Sequence, residues 1–110
     1  METRKKRRLE DAGWTVGSTT DFLGLSDEEA ALVEVKIALA SAVRKQRNRR
    51  RMTQVELGRL LGSSQSRVAK IEAADPSVSI DLMVRSLLRM GASRKDVASY
   101  ISMPMSRRAA

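Results

Sequence analysis

The sequence predicts an all-α protein of five helices with an N-terminal extension, and three observations lead there. Apolar residues recur at intervals of three and four positions from Leu32 to Ile101. Capping residues stand just before the periodic stretches: Ser26 with Glu29, Thr53 with Glu56, Ser79, and Ser93 with Asp96. Aromatics are only 3% of the residues, so Leu, Val, Ile, Ala and Met must fill the interior, as is common in small helical proteins. At 110 residues the chain has room for one small core and not for a second.

Residues 1–25 read as a mostly irregular extension, with charges, Gly13, Gly17 and a Ser-Thr-Thr run. Trp14 and Val16 are its candidates for docking on the body, and a short turn is expected around Asp21 to Leu25. The domain proper is expected over 26–103, with 104–110 a flexible tail. The box of Ser26 and Glu29 opens a first helix that runs through AALVEVKIALASAVRKQRN. Leu32, Val35, Leu39 and Val43 form one apolar stripe, and Val33, Ile37 and Ala40 form a neighbouring one. This helix is longer than a small domain needs, so its N-terminal half is expected to project. Either its second stripe meets a partner, with Leu32 and Val33 at the contact, or Trp14, Phe22 and Leu23 fold back over it; both arrangements stay open.

The stretch Gln54 to Ala73, QVELGRLLGSSQSRVAKIEA, carries the most information. Leu57, Leu61, Val68 and Ile71 can point inward together, and Gly58 is small enough for a second helix to approach the first. Gly62 supplies the corner, where φ above zero costs a residue without Cβ almost nothing. Thr53 and Glu56 cap the first of the two helices, and Ser64 is the expected N-cap of the second. Gln65, Ser66, Arg67 and Lys70 then fall on the outward face, where such side chains suit base edges and phosphates. Residues 53–73 therefore read as a DNA-binding helix-turn-helix, whereas a plain helical hairpin has no need of this set at this spacing.

Beyond the motif, Pro76 breaks the chain and Ser79 caps IDLMVRSLLRM, which ends at Gly91. Ile80, Met83, Val84, Leu87 and Leu88 make its core stripe. Ser93 and Asp96 open a last short helix, closed by Pro104, whose apolar positions are Val97, Tyr100 and Ile101; packing onto the core is the default expectation for Val97 and Ile101.

Net charge is +8, unevenly spread. From Glu10 through Glu34 there are seven acids and no base, and from Arg44 through Ile71 nine bases and one acid, Glu56. The basic middle suits a polyanion, with binding that weakens as salt rises. Part of the Arg44 to Arg51 run also suits the C-terminal end of a helix dipole. RKKRR at Arg4 to Arg8 reads as a charged tail able to track a DNA backbone.

The chain has no cysteine and no histidine, which removes disulfides, thiol chemistry, the usual zinc ligands and the commonest general base. Asp27 and Glu28 are adjacent and do not converge on one face, so no enzyme and no cofactor is expected. Apolar runs fall far short of the ~20 residues that span a bilayer. LEDAGWTVG after the basic run lacks the apolar stretch of a signal peptide, so a cytoplasmic protein without membrane contact is expected.

On these residues the motif resembles the Cro and phage-repressor class: Gln54 opens it, Gly58 and Gly62 take the small and turn positions, Val68 and Ile71 the late core positions, and Glu72 the closing acid. It departs from the class at Ser63, usually aliphatic, and at Arg51, often glycine, where a left-handed backbone would cost roughly 1 kcal/mol or more. The resemblance implies a homodimer placing two recognition helices in successive major grooves of an inverted repeat, with half-sites about one helical turn apart. It implies that Gln65 reaches base edges, with Ser66 and Lys70 beside it and Arg67 on base or phosphate. Thr53, Gln54 and Ser64 would fix register on phosphates, and Arg50 would hold the backbone without regard to sequence. The C-terminal helices are its candidates for self-association.

Over roughly residues 13–101 the chain is also similar to HigA-like antitoxins of type II toxin-antitoxin pairs, with GWTVGSTTDFLGLSDEEAALVEVK carrying that likeness. This implies an antitoxin that binds a RelE- or HigB-like endoribonuclease toxin through Trp14, Phe22, Leu23, Leu32 and Val33 and represses its own operon. An acidic front would attract a basic nuclease while the basic middle stays on DNA. A stand-alone repressor of the same class shares every motif and lacks only the toxin. A protein-interaction module would show no salt-dependent duplex binding.

Overall fold

A computed structural model describes residues 26–103. All its regular structure there is helical: α1 Asp27–Arg49, α2 Gln54–Leu61, α3 Gln65–Glu72, α4 Ile80–Arg89 and α5 Arg94–Ser102. The chain divides into two compact units, Met1–Glu34 and Val35–Ala110, and the division falls within α1. Trp14, Val16, Phe22, Leu23, the expected turn before Ser26, and Pro104 with the tail lie outside the described residues.

In the first unit, the α1 capping box is formed: Glu29 N–H donates to Ser26 Oγ at 3.1 Å, and Ser26 N–H donates to Glu29 Oε1 at 3.3 Å. Asp27, Glu28 and Glu29 occupy the first turn, where carboxylates oppose the positive end of the helix dipole. Leu32 and Val33 are 53% and 39% exposed. The stripe beginning at Leu32 therefore enters a core only from Val35 onward, one turn later than its periodicity suggests.

In the second unit, Leu39, Val43, Leu57, Val68, Ile71, Met83 and Leu87 are fully buried and make one cluster with Ala40, Ala42, Val78, Met90, Ala92 and Val97. Val35, Leu61, Ile80, Val84 and Tyr100 pack against it in part. Two expected core residues do not: Leu88 is 44% and Ile101 39% exposed. On the ten-residue α4, Leu87 and Leu88 are successive, about 100° apart around the axis, so only one of them faces the interior. Ile101 follows Tyr100, which still packs against the core, and stands about 100° further round the α5 axis on its exposed side. Buried Ser86 is satisfied by its own helix, its hydroxyl donating to the Leu82 carbonyl at 2.8 Å.

Four helix ends share one geometry. After α1, Met52 N–H donates to Arg47 O and Arg51 N–H to Asn48 O, the paired bonds of a Schellman motif, with Arg51 left-handed at φ 56°. After α2 the pair is Ser63 to Gly58 and Gly62 to Arg59, with Gly62 at φ 67°. Ala74, at φ 55°, plays the same part after α3, and Gly91 after α4. Two of these four left-handed positions thus carry a Cβ, which crowds the following carbonyl.

Candidate nucleic-acid interface

The corner between α2 and α3 is built as its residues dictate. Thr53 Oγ1 accepts from Glu56 N–H at 3.0 Å while Glu56 Oε1 accepts from Thr53 N–H at 2.8 Å. The Thr53 backbone N–H above all, and the Thr53 hydroxyl next, hold the Glu56 carboxyl below the usual carboxylate range. Ser64 caps α3 by accepting from Arg67 N–H at 3.2 Å. Gly58 is buried under the turn: a Cβ built there would meet Ser64 C at 3.1 Å and the Ser63 and Ser64 carbonyl oxygens at 3.2 Å. Those are backbone atoms, so a side chain at this position would require the turn to give by a few tenths of an ångström.

Val68 and Ile71 anchor α3 on the core, and this leaves Gln65, Ser66, Arg67 and Lys70 exposed on its outer side. Thr53, Ser64 and Arg50 are exposed as well, and Gln54 is half-buried. The opening residues of α2 and α3 meet directly, because Gln65 Nε2 donates to Gln54 Oε1 at 2.7 Å. Gln54 Nε2 in turn donates to Glu72 Oε1 at 3.2 Å. Behind these stands Arg47, with Nε on Glu72 Oε2 at 2.5 Å, Nη2 on Oε1 at 3.0 Å and Nη1 on the Met52 carbonyl at 2.9 Å. The Arg47 and Glu72 side chains are 13% and 6% exposed, and the hydrogen bond to Glu72 is the main cause that raises the guanidinium pKa.

The cations of the basic middle are therefore not all placed alike. Arg47 is neutralised inside the fold, and Arg50, though exposed, commits Nη1 to the Met90 carbonyl at 2.7 Å. Arg44, Lys45, Arg49, Arg51, Arg59, Arg67 and Lys70 are exposed. The Arg47–Glu72 pair escaped the sequence reading because the two residues stand 25 positions apart, outside any local periodicity. Among the described residues, no group of three or more His, Cys, Asp or Glu could hold a metal ion. No described helix is long and apolar enough to cross a membrane.

A short capped helix, a glycine corner and a second capped helix with a polar outer row form a helix-turn-helix, and residues 21–95 match the family of the helix-turn-helix domain. The chain belongs to that family. No curated protein and no solved structure gives a significant match. Within this helix-turn-helix, α2 and the core hold α3 by its apolar side and leave its polar side exposed.

Proposed function

We propose that the chain is a sequence-specific DNA-binding antitoxin that represses its own operon and neutralises a RelE- or HigB-like endoribonuclease. The observation that carries the DNA half is the exposed row of Gln65, Ser66, Arg67 and Lys70 on a helix whose other side is sealed into the core. A Gln side chain presents an acceptor and a donor side by side, the pattern that pairs with adenine N6 and N7 in the major groove. Ser66 and Lys70 stand beside it, and Arg67 reaches base or phosphate. Thr53, Gln54 and Ser64 surround the two helix N-termini, whose N–H groups favour phosphate oxygen. Arg50 and the other exposed cations add attraction that does not depend on sequence. A homodimer would set two such helices on an inverted repeat.

The antitoxin half rests on the likeness of residues 13–101 to HigA-like proteins and on the seven acids without a base from Glu10 to Glu34. Exposed Leu32 and Val33 lie in that acidic stretch and would join Trp14, Phe22 and Leu23 in the toxin contact. The test is purification of the tagged chain from its native cell, followed by a gel shift on the promoter of its own operon. The proposal expects a small basic nuclease to co-purify and the promoter to be retarded. A shift without a nuclease would overturn the toxin part, and a nuclease without a shift would overturn the repressor part.

A further inference from the structure

We infer that Glu72, fixed by Arg47, is a positioning residue that decides which way round the Gln65 amide faces the DNA. The inference rests on the DNA-binding reading above and deepens it. A glutamine amide has one accepting end and one donating end, and nothing in its own shape tells it which to show. Here the order is imposed from behind.

Arg47 only donates, and it takes both oxygens of Glu72. A carboxylate only accepts, so Gln54 must turn its NH2 toward Glu72, as the 3.2 Å contact shows. That leaves Gln54 Oε1 facing Gln65, which must answer with Nε2, at 2.7 Å. One Gln65 N–H is used in this way, and Oε1 with the second N–H remains for a base. An acceptor beside a donor matches adenine, whose N6 donates and N7 accepts. With the amide reversed, Oε1 would be turned inward and two N–H groups would face outward. Two donors match guanine, whose O6 and N7 both accept. The half-buried acid at the far end of α3 thereby chooses between two purines at its first residue without touching either.

The test measures affinities of the full chain for a duplex library varied at each base pair, for wild type, Gln65→Ala, Glu72→Ala, Gln54→Ala and the double variant Gln54→Ala/Glu72→Ala. Thermal unfolding of each variant is followed in parallel. Glu72→Gln is included because it keeps the side-chain volume while offering both a donor and an acceptor to Gln54.

Wild type should prefer adenine over guanine at the Gln65-dependent position by roughly tenfold, within the range that a bidentate pair supplies. Glu72→Gln, and Glu72→Ala where it folds, should bring that ratio within about twofold while leaving preferences at the other positions unchanged. In the Gln54→Ala background, replacing Glu72 should have no further effect on the ratio, since the relay is already cut. An unchanged ratio in Glu72→Gln, or an equal loss of affinity at every position, would overturn the inference and leave the DNA reading standing. If Gln65→Ala alters preference at no position, the register of the DNA reading is wrong and the inference falls with it.

Discussion

Arginine at position 51 holds a backbone conformation that glycine would hold at less cost. Its φ of 56° places it at the left-handed position of the Schellman motif that ends α1. A residue with Cβ there loses roughly 1–2 kcal/mol to the clash with the following carbonyl. Replacement by glycine removes the clash but adds freedom to the unfolded chain, which costs about 0.4–1 kcal/mol. The balance for Arg51→Gly is a gain of about 0.5–1 kcal/mol, or about 2–8 °C in Tm for a domain of this size. Arg49 and Arg50 are its neighbours, so removing the charge also relieves repulsion, and Arg51→Ala is the control. Alanine removes the same charge and keeps the Cβ. Unfolding followed by circular dichroism should therefore place Arg51→Gly above Arg51→Ala by that margin. Equal stability of the two variants would refute the argument from the left-handed backbone.

Other expectations follow from the same contacts. Gly58→Ala should destabilise by about 1–3 kcal/mol in urea titrations and weaken duplex binding, because its Cβ meets the Ser63 and Ser64 backbone at 3.1–3.2 Å. Glu72→Ala should cost about 3 kcal/mol by stranding a part-buried guanidinium, and Arg47→Met/Glu72→Met should recover most of the loss. The carboxyls of Glu56 and Asp96 are held below their ordinary range, chiefly by the backbone N–H of Thr53 and Ser93, respectively. A depressed carboxyl contributes stability that is complete above its unfolded pKa, about 4, and is lost as pH falls through the lower folded value. The double variant Glu56→Gln/Asp96→Asn should flatten the acid limb of a Tm-against-pH profile, and an unchanged limb would count against the two caps.

Local signals in the sequence carried a good deal of this. Each cap at Ser26, Thr53, Ser64, Ser79 and Ser93 forms where its own side chain and the residue three positions on require it, since an N-cap is settled within one turn of chain. Gly62 and Gly58 were legible for the same reason, one as a corner and one as a close approach. What depends on distant partners was not. Periodicity placed Leu88 and Ile101 on core stripes, but burial depends on how far the neighbouring helices reach, and both are exposed. Val78 is buried from a position between α3 and α4, where no period applies. The outward row of α3 was visible as residues, while the relay from Arg47 through Glu72 and Gln54 to Gln65 appears only once α1, α2 and α3 are brought together.

We propose that the outer side of α3 reads duplex DNA. The most direct test of this is equilibrium binding of wild type and Gln65→Ala to the operon's own promoter fragment across a series of salt concentrations. Both proteins should show affinity falling linearly with salt on logarithmic axes and with the same slope, while Gln65→Ala loses about 1–3 kcal/mol of discrimination at one base pair. Binding indifferent to salt, or discrimination that Gln65→Ala leaves intact at every base pair, would contradict it.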